Sequence, residues 1–210
     1  MTVLVGDIHG GFETLQKFIY QAKDTVIQLG DLGIGFKGYK TNLAWHFDMD
    51  QPFQIPYLSN FEYDKRKFVF IRGNHDNPDM CRKHKNYLGE WGVFKKIFYI
   101  SGAWSIDRAW RKEGLDWWAD EELTMEQSYK ALDMYLLTKP EIVISHDCPT
   151  SILKMLHSEI IETRTGQLLQ SMFDKHQPKN WYFGHHHKAW QGELFGTKFR
   201  CLDCFETVKI

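Results

Sequence analysis

Five short apolar runs in this chain each end in side chains that bind metal ions well: Gly6-Asp7-Ile8-His9-Gly10, Gly30-Asp31, Gly73-Asn74-His75-Asp76, Ser145-His146-Asp147 and Gly184-His185-His186-His187. Any one of them alone is an ordinary turn or cap. Five in series, each behind an apolar run, describe a site. The donors are carboxylates, imidazoles and an amide carbonyl, which suit manganese, iron or zinc in five- or six-coordinate geometry rather than a Cys-rich structural zinc. Asp7, His9, Asp31, Asn74, His146, His185 and His187 are more ligands than one catalytic ion needs, so the pattern points to two divalent ions. Two such ions outweigh two aspartates and a bridging hydroxide, and the surplus positive charge would draw in a phosphate oxyanion.

The elements that must position these groups read as strands alternating with helices. Strand-like runs are Val3–Val5, Thr25–Leu29, Lys67–Ile71, Lys96–Ile100, Glu141–Ile144 and Trp181–Phe183, with further pieces at Glu193–Phe195 and Phe199–Phe205. Phe12, Leu15, Phe18 and Ile19 keep helical spacing. Thr124 with Gln127 three residues on is a capping box opening a second helix, and a third occupies part of Ile152–Phe173. This alternation predicts an α/β domain spanning residues 1–210, with helices on the faces of a sheet or sheet pair. In such folds ligands gather outside the carboxyl ends of the strands. Glycine before four of the five clusters lets the backbone turn sharply there. Residues 32–66 and 101–122 are expected as loops on the substrate side.

Lys and Arg number 26 against 27 Asp and Glu, a formal charge of −1, so bulk charge does not indicate a nucleic-acid partner. No apolar run is long enough to span a membrane and no secretory signal is evident, which leads to the expectation of a cytoplasmic protein without a membrane partner. Four scattered cysteines do not form a disulfide framework, and Cys201-Leu202-Asp203-Cys204 reads as packed thiols near a strand. The ten histidines are the informative excess.

In order, spacing and strand context the five clusters match the GD-x-H, GD, GN-H-D/E, H and GH-x-H blocks, and the chain resembles the calcineurin-like metallophosphoesterase superfamily. The resemblance implies two packed β-sheets flanked by helices, a four-layer α/β/β/α arrangement with a dinuclear metal site at the strand C-terminal rim. It implies that Asp7, His9 and His187 bind one ion, that Asn74, His146 and His185 bind the other, and that Asp31 bridges them. His75 matches the family's catalytic histidine, which is not a ligand, and Asp76 is expected to orient it. Two-metal chemistry then implies in-line attack by a bridging hydroxide, with His75 assisting the leaving group. Manganese is the first expectation for both ions, with iron, zinc, nickel or magnesium as others. His186, between two ligands on a locally extended backbone, is expected to point away from them.

Protein phosphatases of this superfamily carry Gly-Asp-x-Val-Asp-Arg-Gly in the second block. Here the residues are Gly30-Asp31-Leu32-Gly33-Ile34-Gly35-Phe36, without the later Asp and Arg. That departure favours a phosphodiester in a phosphorylated small molecule or nucleotide over a protein phosphatase. A nuclease or phosphomonoesterase on the same site is the alternative, and a non-catalytic interaction module is a remoter one. Arg108 and Arg111 are candidates to replace the missing Arg, and Trp104 is a candidate wall for a base.

Overall fold

The apolar runs pair into two mixed sheets, seen in a computed structural model that describes residues 1–36 and 63–210. The first sheet has the order β10-β1-β2-β3, with β1 (Thr2–Val5), β2 (Thr25–Leu29) and β3 (Phe68–Ile71) parallel and β10 (Thr207–Lys209) antiparallel at its edge. The second has the order β4-β5-β6-β7-β9-β8. In it β5 (Ile97–Ile100), β6 (Ile142–Ser145), β7 (Asn180–Phe183) and β9 (Thr197–Cys201) run parallel. β4 (Trp91–Phe94) and β8 (Trp190–Leu194) close its edges by antiparallel pairing.

Leu4, Ile27, Leu29, Val69 and Ile71 from the first sheet meet Ile97, Tyr99, Ile144 and Leu202 from the second in a buried inner layer. Leu15 and Ile19 of α1 (Phe12–Gln21) and Cys81 of α2 (Pro78–Lys83) cover the outer face of the first sheet. The outer face of the second is covered by α3 (Met125–Thr138), α4 (Thr150–Leu156) and α5 (Arg164–Lys175). The four-layer α/β/β/α arrangement is therefore the observed one. The Thr124–Gln127 capping box opens α3 with both of its hydrogen bonds made. The helix expected within Ile152–Phe173 is two, α4 and α5, separated by residues 157–163. Of the expected irregular segment 32–66, residues 37–62 lie outside the described residues.

Parallel strands put their carboxyl ends on one side of a sheet, and the inner layer aligns the two sheets so that those ends form a common rim. Each buried aliphatic side chain there stabilises the fold by about 1.5–3 kcal/mol. That is enough to hold backbone strain at the strand ends, where His9, Asp31, His185 and His187 all adopt left-handed conformations with φ of 42°, 55°, 67° and 45°. Each such residue costs about 1–2 kcal/mol.

Candidate metal centre

Asp7 and His9 follow β1, Asp31 follows β2, Asn74 and His75 follow β3, His146 follows β6, and His185 and His187 follow β7. The ligating atoms of Asp7, His9, Asp31 and His187 lie within 4.8 Å of one another, and so do those of Asp31, His146 and His185. Asp31 belongs to both groups. Its Oδ1 is 3.3 Å from His146 Nε2 and its Oδ2 is 3.9 Å from His9 Nε2. Asn74 joins the second group through Oδ1, 3.3 Å from His146 Nε2.

Close approach of backbone to ligand explains two of the glycines. A Cβ at Gly73 would overlap the Asp31 carboxylate and the His146 ring, and one at Gly184 would strike Asp7 Oδ1. Gln28, buried within β2, ties the strand ends together by donating to the Gly6 and Gly30 carbonyls and accepting from Gly30 N–H.

Opposing charges set the protonation of these groups in the metal-free protein. Burial disfavours charge on Asp31, but His146, His75 and His9 hold its carboxyl well below the usual range. Burial likewise opposes charge on His146, yet Asp31 and Asp7 raise it to about 10. Hydrogen bonding to Asp7 and Cys204 raises His187 to about 11, and burial pushes His185 down to about 4. His146 Nδ1 lies 2.8 Å from the Leu29 carbonyl, a bond in which the ring must donate, so Nε2 is the atom it offers to the site. Carboxylates, imidazoles with an inward nitrogen and an amide oxygen, shared through one carboxylate, fit a pair of divalent ions.

The calcineurin-like phosphoesterase family profile matches residues 2–189, which carry every candidate ligand named so far. The chain belongs to the calcineurin-like phosphoesterase family. It is thus a metal-dependent hydrolase of phosphoesters, of a family that works with a pair of metal ions. Among solved structures, a Thermotoga maritima protein determined by solution NMR is 12% identical, covering 100% of this chain and 90% of that one with a TM-score of 0.42. The Mycobacterium tuberculosis phosphopantetheinyl hydrolase is 11% identical, with coverage of 97% and 89% and a TM-score of 0.46. No curated protein sequence matches the chain.

Around the candidate ligands of this phosphoesterase is a polar framework that motif reading does not find. Asn74 Nδ2 donates to Ser105 Oγ at 3.1 Å, which turns Oδ1 toward His146; Ser105 in turn donates to Glu121 Oε2 at 2.5 Å and through its backbone N–H to Oε1 at 3.0 Å. The guanidinium of Arg72, 1% exposed, pairs with Glu90 at 2.8 Å and donates to the Glu121 and Asp120 carbonyls at 2.7 and 3.0 Å. It fastens the 101–122 segment to the end of β3.

Arg111 Nη2 stands 2.6 Å from His75 Nε2. A guanidinium has no acceptor, so Nε2 accepts and His75 is neutral here, with its proton on Nδ1. Burial pushes His75 well below its ordinary value, and neighbouring His9 and Arg111 add to the effect. Asp107 at 2.7 Å, Ser105 Oγ at 3.3 Å and the Asp116 carbonyl at 3.2 Å hold the other nitrogens of Arg111. Phe36 stacks on the His75 ring at 4.4 Å. Arg108 lies over the Trp104 ring at 4.9 Å instead, and Trp110 is 87% exposed.

Three expectations change. Asp76 does not orient the His75 ring: its buried carboxylate accepts N–H bonds from Leu32, Gly33, Ile34 and Gly73 and so holds the loop after Asp31. Burial and neighbouring Asp31 push it up to about 6. His186 does point away from the ligands, but not through an extended backbone, since both flanking residues are left-handed. Its Nε2 meets Asp147 Oδ1 at 3.1 Å and Cys148 Sγ at 3.5 Å. Of the two thiols expected to be packed at the sheet, Cys201 is buried, whereas Cys204 stands beside His9 and His187.

Proposed function

We propose that this phosphoesterase hydrolyses a phosphodiester of a nucleotide-like small molecule, with Asp31 as the carboxylate common to two ions. Asp7, His9 and His187 would hold one ion and Asn74, His146 and His185 the other. The single observation that carries this reading is the membership of Asp31 in both ligand groups. When bound, ions of this class supply an activated water and hold phosphoryl oxygens.

The chain's own residues do the rest. Arg111 is fixed on one side by Asp107, Ser105 and Asp116, which leaves Nη2 to move from His75 Nε2 to a phosphoryl oxygen. Once that contact is exchanged for an anion, His75 can take up a proton from solvent at Nε2 and deliver it to the leaving alkoxide. Phe36 covers one face of the ring against water. Trp104 with Arg108 over it provides an outer surface for a base or other leaving group. In this reading residues 1–210 act as one domain in the cytoplasm. The 32–66 and 101–122 segments lie on the substrate side, and manganese is the first ion to try.

The test uses metal-reconstituted protein on an aryl phosphodiester and the matching monoester. The diester is expected to have the larger kcat/KM, with His75→Ala lowering kcat about 10²- to 10⁴-fold and Asp31→Asn abolishing turnover. Preference for the monoester overturns the diester assignment; hydrolysis of neither overturns the whole reading.

A further inference from the structure

The ligands expected from sequence contain no sulfur, yet the turn after β9 brings one to the rim. Backbone contacts seat this turn on the end of β1: Gly6 N–H donates to the Glu206 carbonyl at 3.0 Å and Phe205 N–H to the Asp7 carbonyl at 2.9 Å. A Cβ at Gly11 would strike the Phe205 ring, so the two turns are in close contact. Asp203 Oδ1 accepts from Cys204 N–H at 2.7 Å, which fixes the backbone and leaves the thiol as the group the turn presents. Cys204 Sγ and one ring nitrogen each from His9 and His187 lie within 4.8 Å of one another, and the two imidazole Nε2 atoms are 2.8 Å apart. Bonds of about 2.0–2.3 Å to one ion place adjacent donors about 3–4 Å apart, so a single ion can reach all three. Cys204 lies beyond the family match, which ends at residue 189.

We propose that Cys204 Sγ is a ligand, together with His9 and His187, of the ion on the Asp7 side of the centre. The inference rests on the two-ion reading above and makes the halves of the centre chemically unlike. A metal–sulfur bond forms as the thiol proton leaves to water. The half with thiolate favours zinc, cobalt or ferrous iron, while the half with the Asn74 oxygen keeps harder donors suited to manganese. Where the sequence led to the expectation of manganese at both positions, this inference predicts a mixed centre.

The full chain, stripped of metal and reloaded with cobalt(II) alone, is expected to bind two ions and to develop a near-ultraviolet sulfur-to-cobalt charge-transfer band. Cys204→Ser removes the band, keeps the visible d–d bands and weakens zinc at least about 10-fold, with a smaller loss of manganese affinity. Two bound cobalt ions without the charge-transfer band overturn the thiolate ligand and leave the two-ion reading standing. So does a band that survives in Cys204→Ser, which would come from another thiol such as Cys148 beside His186. Fewer than two cobalt ions in the unaltered protein overturns the two-ion reading and this inference with it. If Cys204→Ser does not fold, the unaltered chain still decides the matter: zinc must shield Cys204 from iodoacetamide in peptide mapping, and equal alkylation with and without zinc overturns the proposal.

Discussion

Replacing Arg111 with alanine tests the part of the mechanism that belongs to this chain's own side chains. The guanidinium is 9% exposed and spends three of its contacts on Asp107, Ser105 and the Asp116 carbonyl, with the fourth on His75. In the proposed substrate complex that fourth contact would become a charge-assisted hydrogen bond to a phosphoryl oxygen, worth about 1.5–3 kcal/mol. Arg111→Ala should therefore lower kcat/KM for the diester by about 10- to 150-fold. Asp107 is 51% exposed and regains water, so the loss of that ion pair costs within about 1 kcal/mol. Two metal ions per chain should be retained. The Arg111 cation also contributes to lowering His75, so its removal lets His75 hold its proton to higher pH. The limb of the pH profile on which activity falls as His75 deprotonates must move upward, even as the maximum drops. Steady-state kinetics across pH, with metal content measured on the same samples, checks both parts. A kcat/KM within about twofold of the parent at full metal content, or an unmoved limb, refutes the reasoning.

Arg72→Met leaves Glu90 with Arg82 alone and frees the Asp120 and Glu121 carbonyls. It should cost about 3 kcal/mol in chemical denaturation, and a loss below about 1 kcal/mol would contradict the fastening role. Gly73→Ala puts a methyl group into the Asp31 carboxylate and the His146 ring, so calorimetric titration should find metal binding lost in a chain whose far-ultraviolet dichroism is unchanged; normal stoichiometry refutes this. In the metal-free protein His146 at about 10 and His187 at about 11 bind protons more tightly than when unfolded, near 6.5. Their stabilising effect is complete below the unfolded value and is lost as pH rises through the folded ones. Thermal melts in chelator should thus decline from about pH 7 to about pH 10, less steeply in His187→Gln. Saturating metal should reverse the trend, since ligation displaces those protons; the same decline with and without metal would contradict it.

Strand ends were legible because an apolar run followed by glycine and a ligand is a local pattern, visible within five or six residues. The strands without a legible run carry weak local signals: β4 has Gly92 in its middle, and β10 is a three-residue edge strand. What surrounds the ligands is non-local. Asn74 depends on Ser105 and Glu121, and Asp76 serves amides some 40 positions earlier, at Leu32, Gly33 and Ile34. Cys204 meets His9 only because β10 folds back onto β1. Read locally, C-x-x-C beside a strand is packed thiols, and only the turn geometry separates Cys201 from Cys204. Arg111 and Arg108 looked equivalent in sequence; the short 3₁₀ turn Arg108–Trp110 sends one to His75 and the other over Trp104.

In the proposed function two ions share Asp31 and phosphoester hydrolysis depends on both. Titrating stripped protein with manganese or zinc while following diester hydrolysis and bound metal tests it directly. Activity should rise until two equivalents are bound, and Asp31→Asn should bind fewer than two and show no turnover. Saturation of activity at one equivalent, or an Asp31→Asn protein that binds two ions and hydrolyses the diester at the parent rate, would overturn the shared-carboxylate, two-ion centre.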